Sequence, residues 1–282
     1  MSTIKHLRFK HSLILTPVFF FALAQQAFTD VGPQLILFLI LVLTIFPASH
    51  GFNSYYDRDE GSIGGLEAPP RVDMQLLSIS LFLEVIGIAL TYFYLDLSSA
   101  LCLILYGVAS KLYSHPAVRL KAMPWLSLFV VGSFQGSLIY LLVAKTVGGF
   151  PFRSSDYLGA TVAFLMVMAT YPLTQIYQHE EDRQRGDLTV SRVLGIKGTF
   201  HFSGTCLLLT FGSFLFFWDI GLPLMTFFIL QLPAGFIFFQ WLRAAVVDSA
   251  EANYRNTARC LHALTLSSSL GFVALLLMGR FS

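Results

Sequence analysis

The sequence predicts an all-α membrane protein, with nine transmembrane helices bundled around a central cavity. Composition is the first observation behind this. Hydrophobic residues make up 55% of the 282, charged residues only 12%, and mean hydropathy is +0.69, whereas a soluble domain carries about 25% charged residues. Spacing is the second. A hydrocarbon core about 30 Å thick takes roughly 20 mostly apolar residues per helix. Windows of that kind recur nine times, at about 12–29, 33–52, 74–94, 97–113, 124–145, 156–177, 199–217, 221–242 and 260–279. The third is that the charges gather at the ends of these windows and between them.

The first window follows Lys5, Arg8 and Lys10, and Ala22-Leu23-Ala24 resembles a small-residue cleavage site. Because eight further windows fit a polytopic chain, it reads as a retained first helix. The second runs apolar from Leu35 to Phe46 and gives way to a polar stretch, Gly51 to Arg71. The third contains Glu84, an intramembrane acid and so a functional candidate by default, although pairing within the bundle explains it equally. The fourth is short and interrupted by Gly107. The fifth carries Gln135 between Gly132 and Gly136, where close helix packing is the better reading than a cavity wall. The sixth leads into a second polar stretch, Thr174 to Thr189, and the last three are plain. Cys102, Cys206 and Cys260 sit in separate windows without metal-ligand spacing and read as small hydrophobic residues. His50 and His179 lack the spacing of a zinc site.

Orientation follows from charge. With the N-terminus in the cytoplasm, 15 of the 18 lysines and arginines fall on that side, leaving only Lys145, Arg153 and Arg280 outside. Both acidic stretches share the cytoplasmic side. The chain therefore reads as an integral protein of a bacterial inner membrane or its organellar equivalent, surrounded by membrane lipid and with no nucleic-acid partner. One acidic stretch follows the second helix and the other follows the sixth. This implies a single domain over 1–282 built of two four-helix units, about 12–145 and 156–259, plus a final helix at about 260–279.

Three constellations carry chemistry. In the first, Asn53 and Asp57 lie on one helical face, with Asp59 and Glu60 just beyond. Magnesium binds through one or two carboxylates plus substrate phosphates, and this set supplies such oxygens without closing a cage. In the second, Gln175, Gln178 and Asp182 form one helical stripe, with Glu181 beside it. Polar residues this far back on a membrane helix are expensive against lipid and so face a cavity. Glu181 and Arg185 read equally as a surface pair at i, i+4. The third, Tyr106 to Trp125, places Lys111, Arg119 and Lys121 on the same membrane face as the acids, cations suited to a diphosphate.

These stretches resemble the motifs of the UbiA superfamily of intramembrane prenyltransferases. The family's NDxxDxxxD is met by Asn53-Ser54-Tyr55-Tyr56-Asp57-Arg58-Asp59-Glu60-Gly61. Its DxxxD with a following glycine and threonine is met by Gln178 to Asp182, Gly186 and Thr189. Leu194-Gly195 fits the close of that motif. Tyr113-Ser114-x-Pro116 with Arg119 and Lys121 is similar to the YSxPxxxxK segment, closest to the chlorophyll synthase and homogentisate prenyltransferase branch. The chain departs at Ser54, Gly61 and Gln178, where the family has aspartates; Asp59, Glu60, Glu180 and Glu181 are the nearby carboxylates.

The resemblance implies magnesium-dependent transfer from a prenyl diphosphate to a lipophilic, usually aromatic, acceptor, serving quinone or pigment biosynthesis. Asn53, Asp57 and Asp182, supported by Asp59, Glu60, Gln178 and Glu181, would hold Mg2+. Lys111, Arg119, Lys121 and Arg58 would bind the diphosphate, and Tyr113 could donate to the leaving group. Other readings are a relative that has lost transferase activity or cyclises its substrate, and a transporter with acidic gates. Surface acids fit a transporter poorly, since such sites lie near the bilayer midplane, and only Glu84 suits it.

Overall fold

The computed structural model describes residues 2–27 and 30–278. Among them, nine helices are long and apolar enough to cross a membrane: α1 (Thr3–Ala24), α2 (Gly32–Asp57), α3 (Gln75–Tyr94), α4 (Leu97–Ser114), α5 (Pro124–Gly148), α6 (Ser154–Arg185), α7 (Val190–Phe216), α8 (Leu222–Val247) and α9 (Tyr254–Met278). Each packs against its neighbours in the chain, and α9 returns to α1. The fold is the one expected.

Several helices run further than their apolar windows. Hydropathy registers the part that crosses hydrocarbon, whereas the hydrogen-bonded helix continues into polar residues at its end. Thus α1 begins at Thr3, α2 carries Asn53 and Asp57 on its last turn, and α6 reaches Arg185. Residues 28, 29 and 279, expected in the first and last helices, lie outside the described residues, as does Arg280.

Local chemistry sets the ends and the irregularities. α2 stops where Arg58 turns left-handed (φ 49°), and α6 stops at Gly186 (φ 75°), a position that favours glycine. Asp96 caps α4, accepting from the Ser99 N–H at 2.8 Å. The Asp96 carboxyl is held well below its ordinary pKa: burial works against the charge, but hydrogen bonds from Lys145, Ser98 and Ser99 outweigh it. Within α6, Pro172 interrupts the α-helical ladder and the chain tightens to a 3-10 turn over Pro172–Gln178. α5 widens to a π-helical stretch over Gly132–Leu138. Both irregular stretches face the same cavity.

Away from the polar stretches, Phe21, Tyr140, Phe214, Phe227 and Phe272 form a fully buried aromatic core. Phe214 meets Phe227 edge-on, with centroids 5.1 Å apart. The outer faces carry Phe82, Phe93, Leu208 and Leu232, each more than half exposed, as suits an integral membrane protein. All three cysteines are free, and Cys206 and Cys260 are buried, as small apolar residues would be.

Candidate functional site

A cavity of about 280 Å³ runs between the helices from the end that carries both polar stretches. Its polar end is lined by Asn53, Asp57, Lys121, Gln178, Asp182 and Asp187, and its far end by Phe134, Met166, Phe211, Phe214 and Phe272. It therefore grades from charged to aromatic along one path.

The last turn of α2 supplies the first donors. One turn apart, Asn53 and Asp57 share a face, and the Asn53 Nδ2 donates to Asp57 Oδ2 at 2.7 Å. Ser114, ending α4, donates to Asn53 Oδ1 at 2.8 Å. Lys121 pairs with the other Asp57 oxygen and lies 3.9 Å from Asp187. Arg119, in a left-handed turn, grips Asp187 with both arms of its guanidinium at 2.8 and 2.7 Å. Those hydrogen bonds are the main reason the Arg119 pKa is raised above its ordinary value.

The end of α6 and the turn after it supply the rest. Thr189 donates to Asp182 Oδ2 at 3.2 Å, and the Asp187 N–H donates to the Asp182 carbonyl at 2.9 Å. Three contacts join the polar stretches to each other. Gln178 Nε2 donates to the Ser62 carbonyl at 3.3 Å. Arg185 pairs with Asp59 and also with Glu181, the latter at 2.7 Å. The Glu181 carboxylate in turn accepts from the Glu60 N–H at 3.3 Å. A Cβ at Gly61 would sit 2.8 Å from Glu181 Oε2, so the glycine that replaces the motif's last aspartate leaves room for that carboxylate.

The structure brings Asn53, Asp57, Asp59, Tyr113, Lys121, Gln175, Gln178 and Asp182 to one cavity, and Gln135 with them. For Gln135 this corrects the packing reading. The neighbouring glycines do serve packing, and a Cβ at Gly136 would lie 2.6 Å from the Ala163 carbonyl oxygen, but the π-helical turn aims Gln135 inward. Arg119 reaches the site through Asp187. Glu60 and Glu181 stay at the rim, on the cleft that Arg58 also lines, and Arg58 lies over the Tyr55 ring at 5.9 Å. Tyr113 shares a hydrogen bond of 2.8 Å with Tyr171.

Lys111 is placed elsewhere. It points between α3 and α4, where it pairs with Glu84 and lies 5.4 Å from the Phe52 ring centroid. Glu84 thus has a partner within the bundle, and Gly107 makes room for it, since a Cβ there would collide with its carboxylate. Neither residue lines the cavity. Glu84→Ala is expected to lower thermal stability by leaving the ammonium unpaired in apolar surroundings. Glu84→Met combined with Lys111→Met should recover much of that loss, with a coupling of about 1–3 kcal/mol in a double-mutant cycle. Affinity for any cavity ligand should stay unchanged throughout.

Sequence reasoning missed Asp187, buried and joined to both Arg119 and Lys121. Its signal was present, an acid between the chain-reversing Gly186 and Thr189. It also missed Arg8, which lines the cavity and donates to the carbonyls of Gly64 and His50, each at 3.1 Å. No local pattern marks that contact, which spans more than 40 residues.

Among the described residues, no group of three or more His, Cys, Asp or Glu is gathered as a metal site. The donors at the polar end are nonetheless all oxygens, from Asn53, Asp57, Gln178 and Asp182, the chemistry that suits a hard divalent cation.

Comparison with known proteins agrees with this architecture. No curated protein matches the sequence. Among solved structures, a UbiA homolog from Archaeoglobus fulgidus bound to DMAPP and Mg2+ is 14% identical, with a TM-score of 0.67 over 98% of this chain and 99% of that one. An apo UbiA homolog from Aeropyrum pernix K1 is 16% identical, with a TM-score of 0.61 over 96% and 98%. A digeranylgeranylglyceryl phosphate synthase structure is 12% identical, with a TM-score of 0.58 over 98% and 96%. These show the fold. The model of the UbiA prenyltransferase family matches residues 13–261, most of the length that holds the motifs and the cavity, and the chain belongs to that family.

Proposed function

We propose that this membrane prenyltransferase moves a prenyl group from a prenyl diphosphate to a lipophilic aromatic acceptor held in the bilayer, releasing diphosphate. The observation that carries the reading is the grading of one cavity, with oxygen donors and cations at its polar end and aromatic side chains at the other. The A. fulgidus homologue was solved with GPP and Mg2+ as well as with DMAPP and Mg2+.

In this reading Asn53, Asp57 and Asp182, with Gln178 and Asp59 in support, would hold Mg2+. When bound, the ion neutralises charge on the diphosphate and so favours its departure. Lys121 exchanges its carboxylate partner Asp57 for phosphate oxygens, while Arg119 stays on Asp187 and holds that carboxylate in the cavity wall. Tyr113, hydrogen-bonded to Tyr171, donates toward the leaving oxygen. The C1–O bond of the prenyl diphosphate breaks, with its electron pair leaving on the diphosphate. The acceptor's electron pair closes the new bond to C1, and its proton is lost to solvent or to the departing phosphate. The apolar far end holds the hydrocarbon tail. By its charge bias, the site faces the cytoplasm together with the N-terminus.

A transporter reading loses its main support, because Glu84 is already paired and lines neither the cavity nor the cleft at its rim. The test is binding of farnesyl and geranylgeranyl diphosphate to the protein in nanodiscs, with and without magnesium. A ligand at a hundredfold excess over Kd should raise stability by roughly 2.7 kcal/mol. Stabilisation that requires magnesium supports the reading. Failure of both diphosphates under all metal conditions overturns it.

A further inference from the structure

His11 and His50 line the cavity beside each other, their ring centroids 5.3 Å apart and tilted by 55°. Each has a buried Nδ1 with no hydrogen-bond partner among the described residues. A buried polar atom left without a partner is unfavourable, and two of them on rings that line one cavity point to a ligand that satisfies them.

The surroundings hold both rings in place. Arg8 ties the His50 carbonyl to that of Gly64, so the N-terminal turn, α2 and the loop after α2 meet at one point. The loop presses on His11: a Cβ at Gly64 would lie 2.5 Å from His11 Nε2, and one at Gly65 would lie 2.8 Å from His11 Cβ. Gly65 also has φ 86°, which favours glycine at that turn. The imidazoles are therefore fixed in the cavity wall.

Their depth is informative. His50 lies three residues before Asn53, about 4.5 Å further along the α2 axis. Ser49 and Ser110 hydrogen-bond to each other at 2.6 Å at the same depth on the α2–α4 side. The cavity thus has three layers: the oxygen donors and cations, then a layer of Arg8, the two imidazoles and the Ser49–Ser110 pair, then the aromatic end. With the diphosphate in the first layer and its tail in the third, the reacting C1 falls in the second, where the acceptor must also present its nucleophile.

Resting on the prenyltransferase reading above, we infer that His11 and His50 are the acceptor subsite, and that they bind a hydroxyl group of the acceptor. A neutral imidazole offers one donor and one acceptor nitrogen, and a hydroxyl complements both capacities. The pair positions the acceptor against C1.

The test uses the protein in nanodiscs with magnesium and geranylgeranyl thiolodiphosphate, and measures dissociation constants for 1-naphthol, 1-methoxynaphthalene and 2-naphthoate. Naphthol should bind wild type at least tenfold more tightly than the methyl ether and more tightly than the carboxylate. His11→Phe and His50→Phe should each weaken naphthol at least tenfold while leaving thiolodiphosphate affinity within twofold. His11→Gln and His50→Gln, which keep a donor and an acceptor, should stay within threefold of wild type. Equal binding of naphthol and its ether to wild type, preference for naphthoate, or unchanged naphthol affinity in the Phe variants overturns the subsite. If the thiolodiphosphate itself fails to bind wild type, the prenyltransferase reading falls, and that outcome is separate from failure of the subsite.

Discussion

Asp57→Asn is expected to remove magnesium-dependent binding of prenyl diphosphate and to lower turnover by at least about 10²–10³-fold, the range for losing one preorganised electrostatic group in a catalytic site. The substitution keeps the volume and leaves an oxygen able to accept from Asn53, so any loss is one of charge. That charge has two duties. In the proposed site it is a hard oxygen ligand for the cation, and without ligand it is the partner of Lys121. Its removal leaves Lys121 with only the more distant Asp187 at 3.9 Å, so stability should also fall, by up to the roughly 3–5 kcal/mol of a broken buried pair. Glu180→Gln is the control. Glu180 belongs to the same acidic stretch but pairs with Arg183 on an exposed face, and its loss should change neither binding nor turnover measurably. Isothermal titration with and without magnesium, together with a melting curve for each variant, decides the matter. Near-native affinity in Asp57→Asn would show that the cation and diphosphate bind elsewhere.

The contrast between Asp57 and Lys111 shows what the sequence made legible. Asn53 and Asp57 are local to each other, and helix geometry alone places them on one face. The same geometry explains why Lys111 was assigned to the wrong place. Ser110 and Ser114 line the cavity together, and Lys111 lies about 100° round the helix from Ser110, which turns it toward α3 and Glu84. A membrane face shared with the acids suggested the diphosphate, but helical phase turns Lys111 away from the cavity. Ser54 is the same effect in reverse. It stands where the family has an aspartate, yet it is 1% exposed, and it is absent from the cavity wall. The Arg8, His11 and His50 cluster was not legible, because it forms only when the N-terminal turn packs against α2 and the Gly64–Gly65 loop. Composition could locate the membrane and spacing could locate the motifs. Neither could show which distant segments share a wall.

Gly136→Ala is expected to be among the most destabilising single substitutions in the bundle, although it adds one methyl group. A Cβ at this position would lie 2.6 Å from the Ala163 carbonyl oxygen, 2.9 Å from its carbon and 2.9 Å from the Phe164 Cα. All three are backbone atoms of α6, so no side chain can rotate away and the two helices must separate. Overpacking typically costs about 1–3 kcal/mol and occasionally more, and a contact with rigid backbone belongs at the upper end. The helix preference for alanine over glycine, about 1 kcal/mol, offsets part of it. Gly132 is a milder case, since its nearest neighbour is the Phe164 ring at 2.7 Å, which can shift. Gly212→Ala and Gly235→Ala are the opposite case, because nothing lies within 4 Å of either Cβ; they should be neutral or stabilising by up to about 1 kcal/mol. The effect should extend to function. Gly136 lies in the π-helical stretch that sets Phe134 and Gln135 into the cavity wall, so separating α5 from α6 should weaken prenyl diphosphate binding even where the protein still folds. Melting temperatures of the four alanine variants in one detergent test the packing, and affinity at a temperature well below the transition tests the link to the cavity. If Gly136→Ala melts with Gly212→Ala, the close approach of α5 and α6 is not what holds this wall. If it melts far below but binds normally, the wall does not depend on the irregular turn.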